Sequence, residues 1–100
     1  MKIGIDILDV GRNIPDGVFS EYELEYIKGK GQGSIRTATG IFAAKEAYFK
    51  AKGTGIIKSE LKKVEVRHKP GGAPYYGNDH NAALSISHTD TTAVAVCILF

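Results

Sequence analysis

A chain of 100 residues with 43% hydrophobic and 24% charged residues has a globular composition, which excludes a disordered chain, a collagen-like repeat and a coiled coil. No apolar run approaches the ~18 residues of a membrane span, and a single cysteine, Cys97, excludes an internal disulfide. The net charge of +2 conceals −4 over residues 1–27, +8 over 28–69 and −2 over 70–100, and a basic middle points to a polyanionic partner or to a solvated basic face.

From the N-terminus, Ile3, Ile5 and Ile7 alternate with Gly4, Asp6 and Leu8, which is strand periodicity. Asp6 and Asp9 interrupt this stretch, so it does not read as a cleavable signal, and the chain is taken as one cytoplasmic domain over residues 1–100. Pro15-Asp16-Gly17 supplies a turn, and Ser20 with Glu23 forms a capping-box pattern that opens a short helix to about Ile27. The glycine-rich stretch from Lys28 to Gly40 reads as a mobile loop. Ile41 to Lys52 is a helix rich in alanine, capped by Thr39 or Gly40 and stopped by Gly53-Thr54-Gly55. Val64, Val66 and His68 alternate along a half-exposed strand, Pro70 to Pro74 is a turn, and Tyr75-Tyr76 starts a short strand. Ala83–His88 and Thr92–Phe100 are two further strands, the last apolar on both faces and therefore central. The expected class is α+β, with a mostly antiparallel sheet packed against a long alanine-rich helix.

Several residues carry chemistry. Asp6, inside an apolar strand, either faces water beside Gly4 or finds a cation or donor. Glu46 and Lys50 stand at i and i+4 and share one helix face. As a surface pair they are commonplace, but an acid beside a lysine also suits phosphoryl chemistry, the acid holding Mg²⁺ and the ammonium meeting a departing phosphate. His88 ends the Ser85-Ile86-Ser87-His88 strand, where it could donate to a phosphate. His68 and Cys97 read as structural. Gly29–Ser34 lacks the preceding strand and the terminal Lys-Ser/Thr of a Walker loop. Without stacking aromatics or an arginine-rich helix in the basic third, nucleic-acid binding is a weak reading, and no membrane partner is indicated.

The order of these signals is more telling than any one of them. Gly4-Ile5-Asp6-Ile7, Phe42-Ala43-Ala44-Lys45-Glu46-Ala47 with Lys50-Ala51 and Gly53-Thr54-Gly55-Ile56, Gly72-Ala73-Pro74, and Leu84-Ser85-Ile86-Ser87-His88 together resemble the holo-acyl-carrier-protein synthases, the small bacterial-type phosphopantetheinyl transferases. The resemblance implies Mg²⁺-dependent transfer of phosphopantetheine from coenzyme A to a serine of apo-acyl carrier protein, releasing adenosine bisphosphate. It implies Asp6 and Glu46 as metal ligands and Glu46, Lys50 and His88 as catalytic groups. Lys45, Lys50, Gly72, Pro74, Ser87 and His88 would contact the coenzyme, and Arg12 would dock an acidic carrier protein. It further implies a homotrimer with active sites between subunits. Two features depart from the pattern: Ile41 stands where the family commonly has an arginine, so that Lys45 or Arg36 would have to substitute, and residues 27–40 are short and glycine-rich. Two rivals follow, a catalytically impaired coenzyme A or nucleotide-binding module of the same fold, and a small basic RNA-binding domain.

Overall fold

The computed structural model describes every residue from Met1 to Phe100. The alternation at the N-terminus becomes strand β1 (Lys2–Asp9), but its two faces are the reverse of what hydrophobicity suggests. Gly4, Asp6 and Leu8 point into the molecule, whereas Ile3, Ile5 and Ile7 remain 68%, 57% and 67% exposed. The reason is steric. A long helix, α2 (Ser34–Lys52), lies so close to β1 that only glycine fits at the crossing. A β-carbon on Gly4 would overlap the carbonyl oxygen of Ala47 and stand 2.5 Å from the amide nitrogen of Ala51. The helix makes the same accommodation from its side, burying Ala43, Ala44, Ala47 and Ala51.

Helix α1 (Glu21–Lys28) begins as expected, with Ser20 Oγ accepting from the Glu23 amide and Glu23 returning a carboxylate to the Ser20 amide at 2.8 Å. The stretch from Lys28 to Gly40 is not a loop: a 3₁₀ turn at Gly31–Gly33 leads directly into α2, which starts at Ser34 and runs for 19 residues. Neither Thr39 nor Gly40 caps it. Thr39 lies inside the helix and donates its hydroxyl to the Ile35 carbonyl at 2.8 Å, a bond helices tolerate in mid-span. Glycine spacing mimics a loop here because Gly31 takes a φ of 57° at the 3₁₀ turn and Gly40 packs closely under Ile86. Gly53 ends α2 in the left-handed conformation (φ 74°), donating to the carbonyls of Phe49 and Lys50.

A second 3₁₀ segment, Lys58–Lys63, precedes the antiparallel hairpin of β2 (Val66–His68) and β3 (Pro74–Tyr76), whose turn holds Gly72 at φ 96°. Strands β4 (Ala82–His88) and β5 (Thr92–Leu99) complete the main sheet in the order β1-β5-β4, all antiparallel, with β5 central as expected. The five strands therefore form two sheets rather than one. The core gathers Leu8, Ile41, Phe42, Phe49, Val66, Tyr76, Ala95 and Cys97 between the main sheet, α2 and the hairpin. Tyr76 ties hairpin to helix by donating its hydroxyl to the Ala44 carbonyl at 2.6 Å. No helix is long and apolar enough to cross a membrane.

Candidate active site

The close crossing at Gly4 has a chemical result two residues later. Asp6 lies on the inner face of β1, only 8% exposed, and its Oδ1 accepts from Lys50 Nζ of α2 at 2.8 Å. Glu46, one helical turn before Lys50, faces the same carboxylate. Asp6 Oδ2 and Glu46 Oε1 are both buried without a hydrogen-bond partner. Partial burial, and then the neighbouring Asp6 carboxylate, raise the Glu46 pKa from 4.5 to about 7, against the pull of Arg12 and Lys50. Neighbouring carboxylates that each leave one oxygen orphaned form an all-oxygen donor pair, which suits a hard divalent cation. No third His, Cys, Asp or Glu joins them. Such a pair would hold Mg²⁺ in the way that ion is usually held, by one or two carboxylates with the other positions left to phosphate oxygens and water. The sequence-predicted trio Asp6, Glu46 and Lys50 thus meets in space.

A cavity of about 240 Å³ opens beside Glu46, lined by Phe42 and Leu61 on its apolar side and by Arg12 and Lys58 at its basic side. Arg12 accordingly stands next to the acid pair.

A second cavity, of about 370 Å³, lies between the start of α2, the β2–β3 turn and β4. Gly72, Pro74 and His88 all line it, so three residues expected at a coenzyme share one recess. His88 is exposed, with Nδ1 3.3 Å from the Thr89 carbonyl. Ser87 points to the opposite face of β4 and does not line the recess. Lys45 is a clear correction. Its ammonium is wholly buried, 2.7 Å from Glu23 Oε1, and donates to the carbonyls of Leu61 and Val64 at 2.7 and 2.9 Å. Burial pushes its pKa below the ordinary lysine value, although Glu23 opposes this. Glu23 is equally buried and also accepts from the Val66 amide at 2.7 Å. A satisfied internal pair of this kind fastens α1, α2 and the segment before β2 together, and it leaves Lys45 unable to reach a phosphate. Ile41 is buried in the wall of the recess and brings no charge.

Among the lining residues that the sequence reading missed, two form an aromatic pair. Tyr26 and His68 stack at 3.9 Å between ring centroids, nearly parallel, and both line the recess. His68 Nδ1 is buried without a partner, and burial lowers its pKa, with Lys30 adding to the effect. Strand alternation put His68 on the face of Val66, and nothing local announced that α1 would present an aromatic ring to it.

A family model described as the 4′-phosphopantetheinyl transferase superfamily matches residues 2–97. The chain is 35% identical over 119 positions to the holo-[acyl-carrier-protein] synthase of Treponema denticola, covering 99% of this chain and 97% of that one. Identity to the Enterococcus faecalis protein of the same name is 39% over 112 positions, covering 97% and 94%. Among solved structures, the holo-(acyl-carrier-protein) synthase of Bacillus anthracis in complex with CoA (3′,5′-ADP) superposes with a TM-score of 0.86 at 38% identity, covering 98% of this chain and 94% of that one. The Helicobacter pylori synthase in complex with coenzyme A gives 0.77 at 30% identity, covering 98% and 99%.

Proposed function

The chain belongs to the 4′-phosphopantetheinyl transferase superfamily, and from that premise we propose that it is a Mg²⁺-dependent holo-acyl-carrier-protein synthase, moving phosphopantetheine from coenzyme A to a serine of apo-acyl carrier protein. The observation that carries the reading is the meeting of Asp6, Glu46 and Lys50, with two carboxylate oxygens left unpartnered.

In the proposed reaction the serine oxygen bonds to the β-phosphorus of the coenzyme, and the bond to the bridging oxygen breaks. Adenosine 3′,5′-bisphosphate leaves with that oxygen. Glu46 is the group placed to take the serine proton, directly or through a water, and holding the ion would keep it ionised near neutral pH. Lys50 keeps its ammonium half-exposed beside Asp6 and can deliver charge or a proton to the leaving phosphate. Mg²⁺ held by Asp6 and Glu46 would supply electrostatic relief on the pyrophosphate. Arg12 and Lys58, beside Glu46, suit an acidic carrier protein. Gly72, Pro74 and His88 together line the larger recess, which supports reading it as the place of the coenzyme's adenosine end.

The proposal includes assembly into a homotrimer with shared sites, in a cytoplasmic setting. Two features support sharing. The coenzyme recess and the cavity beside Glu46 share no lining residue. One copy therefore holds its acid pair and its recess as separate cavities. Meanwhile Ile3, Ile5 and Ile7 stand uncovered beside Val94, Val96 and Ile98 on the outer face of the sheet, an apolar patch of the kind that marks an interface.

The experiment is to incubate the protein with coenzyme A, Mg²⁺ and apo-acyl carrier protein and to measure the mass of the carrier. The phosphopantetheine increment is expected, and Glu46→Gln should lose at least about 100-fold in rate while keeping its fold. Wild-type rates from Glu46→Gln would remove Glu46 from the mechanism. Coenzyme binding without any increment would favour a binding module.

A further inference from the structure

The coenzyme recess carries more charge than an adenosine base and sugar require. Its lining includes Lys30 and Arg36 and no carboxylate. Lys30 Nζ stands 4.6 Å from the centroid of Tyr26, whose ring is stacked on His68, so one wall is a flat aromatic pair flanked by an ammonium. Arg36 lies 3.8 Å from the carboxylate of Asp90, which projects almost fully exposed from the β4–β5 turn. A solvated pair at that separation contributes little. A guanidinium grips a phosphate much better, through two parallel hydrogen bonds. Of the other cations of α2, Lys45 is engaged with Glu23 inside the core and Lys50 with Asp6, while Lys52 stands over the Tyr48 ring, outside the recess lining.

We propose that Lys30 and Arg36 read the 3′-phosphate on the ribose of coenzyme A, and that Asp90 competes with that phosphate for Arg36 in the free protein. The inference rests on the recess being the coenzyme A site. The pyrophosphate belongs beside the acid pair, so the 3′-phosphate is the anion left on the adenosine end, where two cations await it without an opposing carboxylate in the lining. Arg36 then exchanges a loose, solvated partner for a bidentate one. Asp90 sets how readily that exchange runs and how readily the bisphosphate product departs.

The test is calorimetric titration of the full chain with adenosine 3′,5′-bisphosphate and with adenosine 5′-monophosphate, without carrier protein. The bisphosphate should bind at least about 10-fold more tightly. Arg36→Ala and Lys30→Ala should each shrink that preference, and the double variant should bring it close to one. Asp90→Asn should tighten the bisphosphate alone by about 2- to 5-fold, a gain that a misfolded protein cannot produce. Equal affinities for the two nucleotides in the parent, or a preference unchanged in both alanine variants, overturn the proposal. An Asp90→Asn variant that binds as the parent does overturns the competition. A chain that shows the preference yet loads no carrier protein overturns the transfer reading while the phosphate assignment stands.

Discussion

Lys45 and Glu46 are neighbours in sequence with opposite fates, because a helix turns 100° between them. Lys45 enters the core and meets Glu23, whereas Glu46 opens onto a cavity and meets Asp6. The consequence for Glu46 is a pH dependence whose sign follows from its raised pKa. Between pH 4.5 and about 7 the folded chain holds a proton on Glu46 that the unfolded chain has released. That contribution to stability is complete below pH 4.5 and is lost as pH rises through 7. Thermal unfolding in the presence of a chelator should therefore show Glu46→Gln gaining on the parent between pH 5 and pH 8; parallel curves would contradict the raised value. Ion binding runs the other way, since a ligand carboxylate must be ionised. Affinity for Mg²⁺ should weaken towards tenfold per pH unit below about 7.

At the level of elements, the β1–α2 crossing decides whether the acid pair exists. Gly4→Ala would press a β-carbon into the backbone of Ala47 and Ala51, atoms that no side-chain rotation can move aside. Overpacking of this sort costs about 1–3 kcal/mol and sometimes more. Because Asp6 follows on the same face, β1 would carry it away from Glu46. Urea unfolding should register the destabilisation, and ion affinity of the still-folded protein should drop as well. A variant that is destabilised but binds Mg²⁺ normally would separate Gly4 from the site.

Much of this element plan is legible in the chain. The Ser20–Glu23 cap, the stop at Gly53, the central β5 and the buried Cys97 follow from local rules of spacing and propensity, and the structure has all of them. The spacing of Glu46 and Lys50 likewise fixed their common face. What local rules could not give was direction. The apolar face of β1 is the outer one, because α2 claims the glycine face by close approach, and three isoleucines in a row of alternation say nothing of that. Glycines at 29, 31, 33 and 40 suggested a loop, yet α2 begins at Ser34, since packing under Ile86 overrides propensity. The burial of Lys45 depends on Glu23, 22 positions away and on another helix, and the Tyr26–His68 stack is equally non-local.

For the whole molecule, the outer sheet face and the two separate pockets bear on the same question. An exposed Ile5 has little to do for the stability of a single chain, and Ile5→Lys should change it by no more than about 0.5 kcal/mol. Under the proposed assembly the same substitution buries three ammonium groups in apolar contacts. Sedimentation should then report a single chain, and transfer should vanish with the association. An Ile5→Lys protein that stays assembled and active would place the interface elsewhere.

The separation of acid pair and recess within one copy also bears on inheritance. If each copy lends its acids to one neighbour and its cations to the other, a defective copy spoils the junction on either side of it. In a cell carrying one sound gene and one damaged in both halves, the harm would exceed the share of faulty chains, because sound subunits seated next to faulty ones would be silenced too.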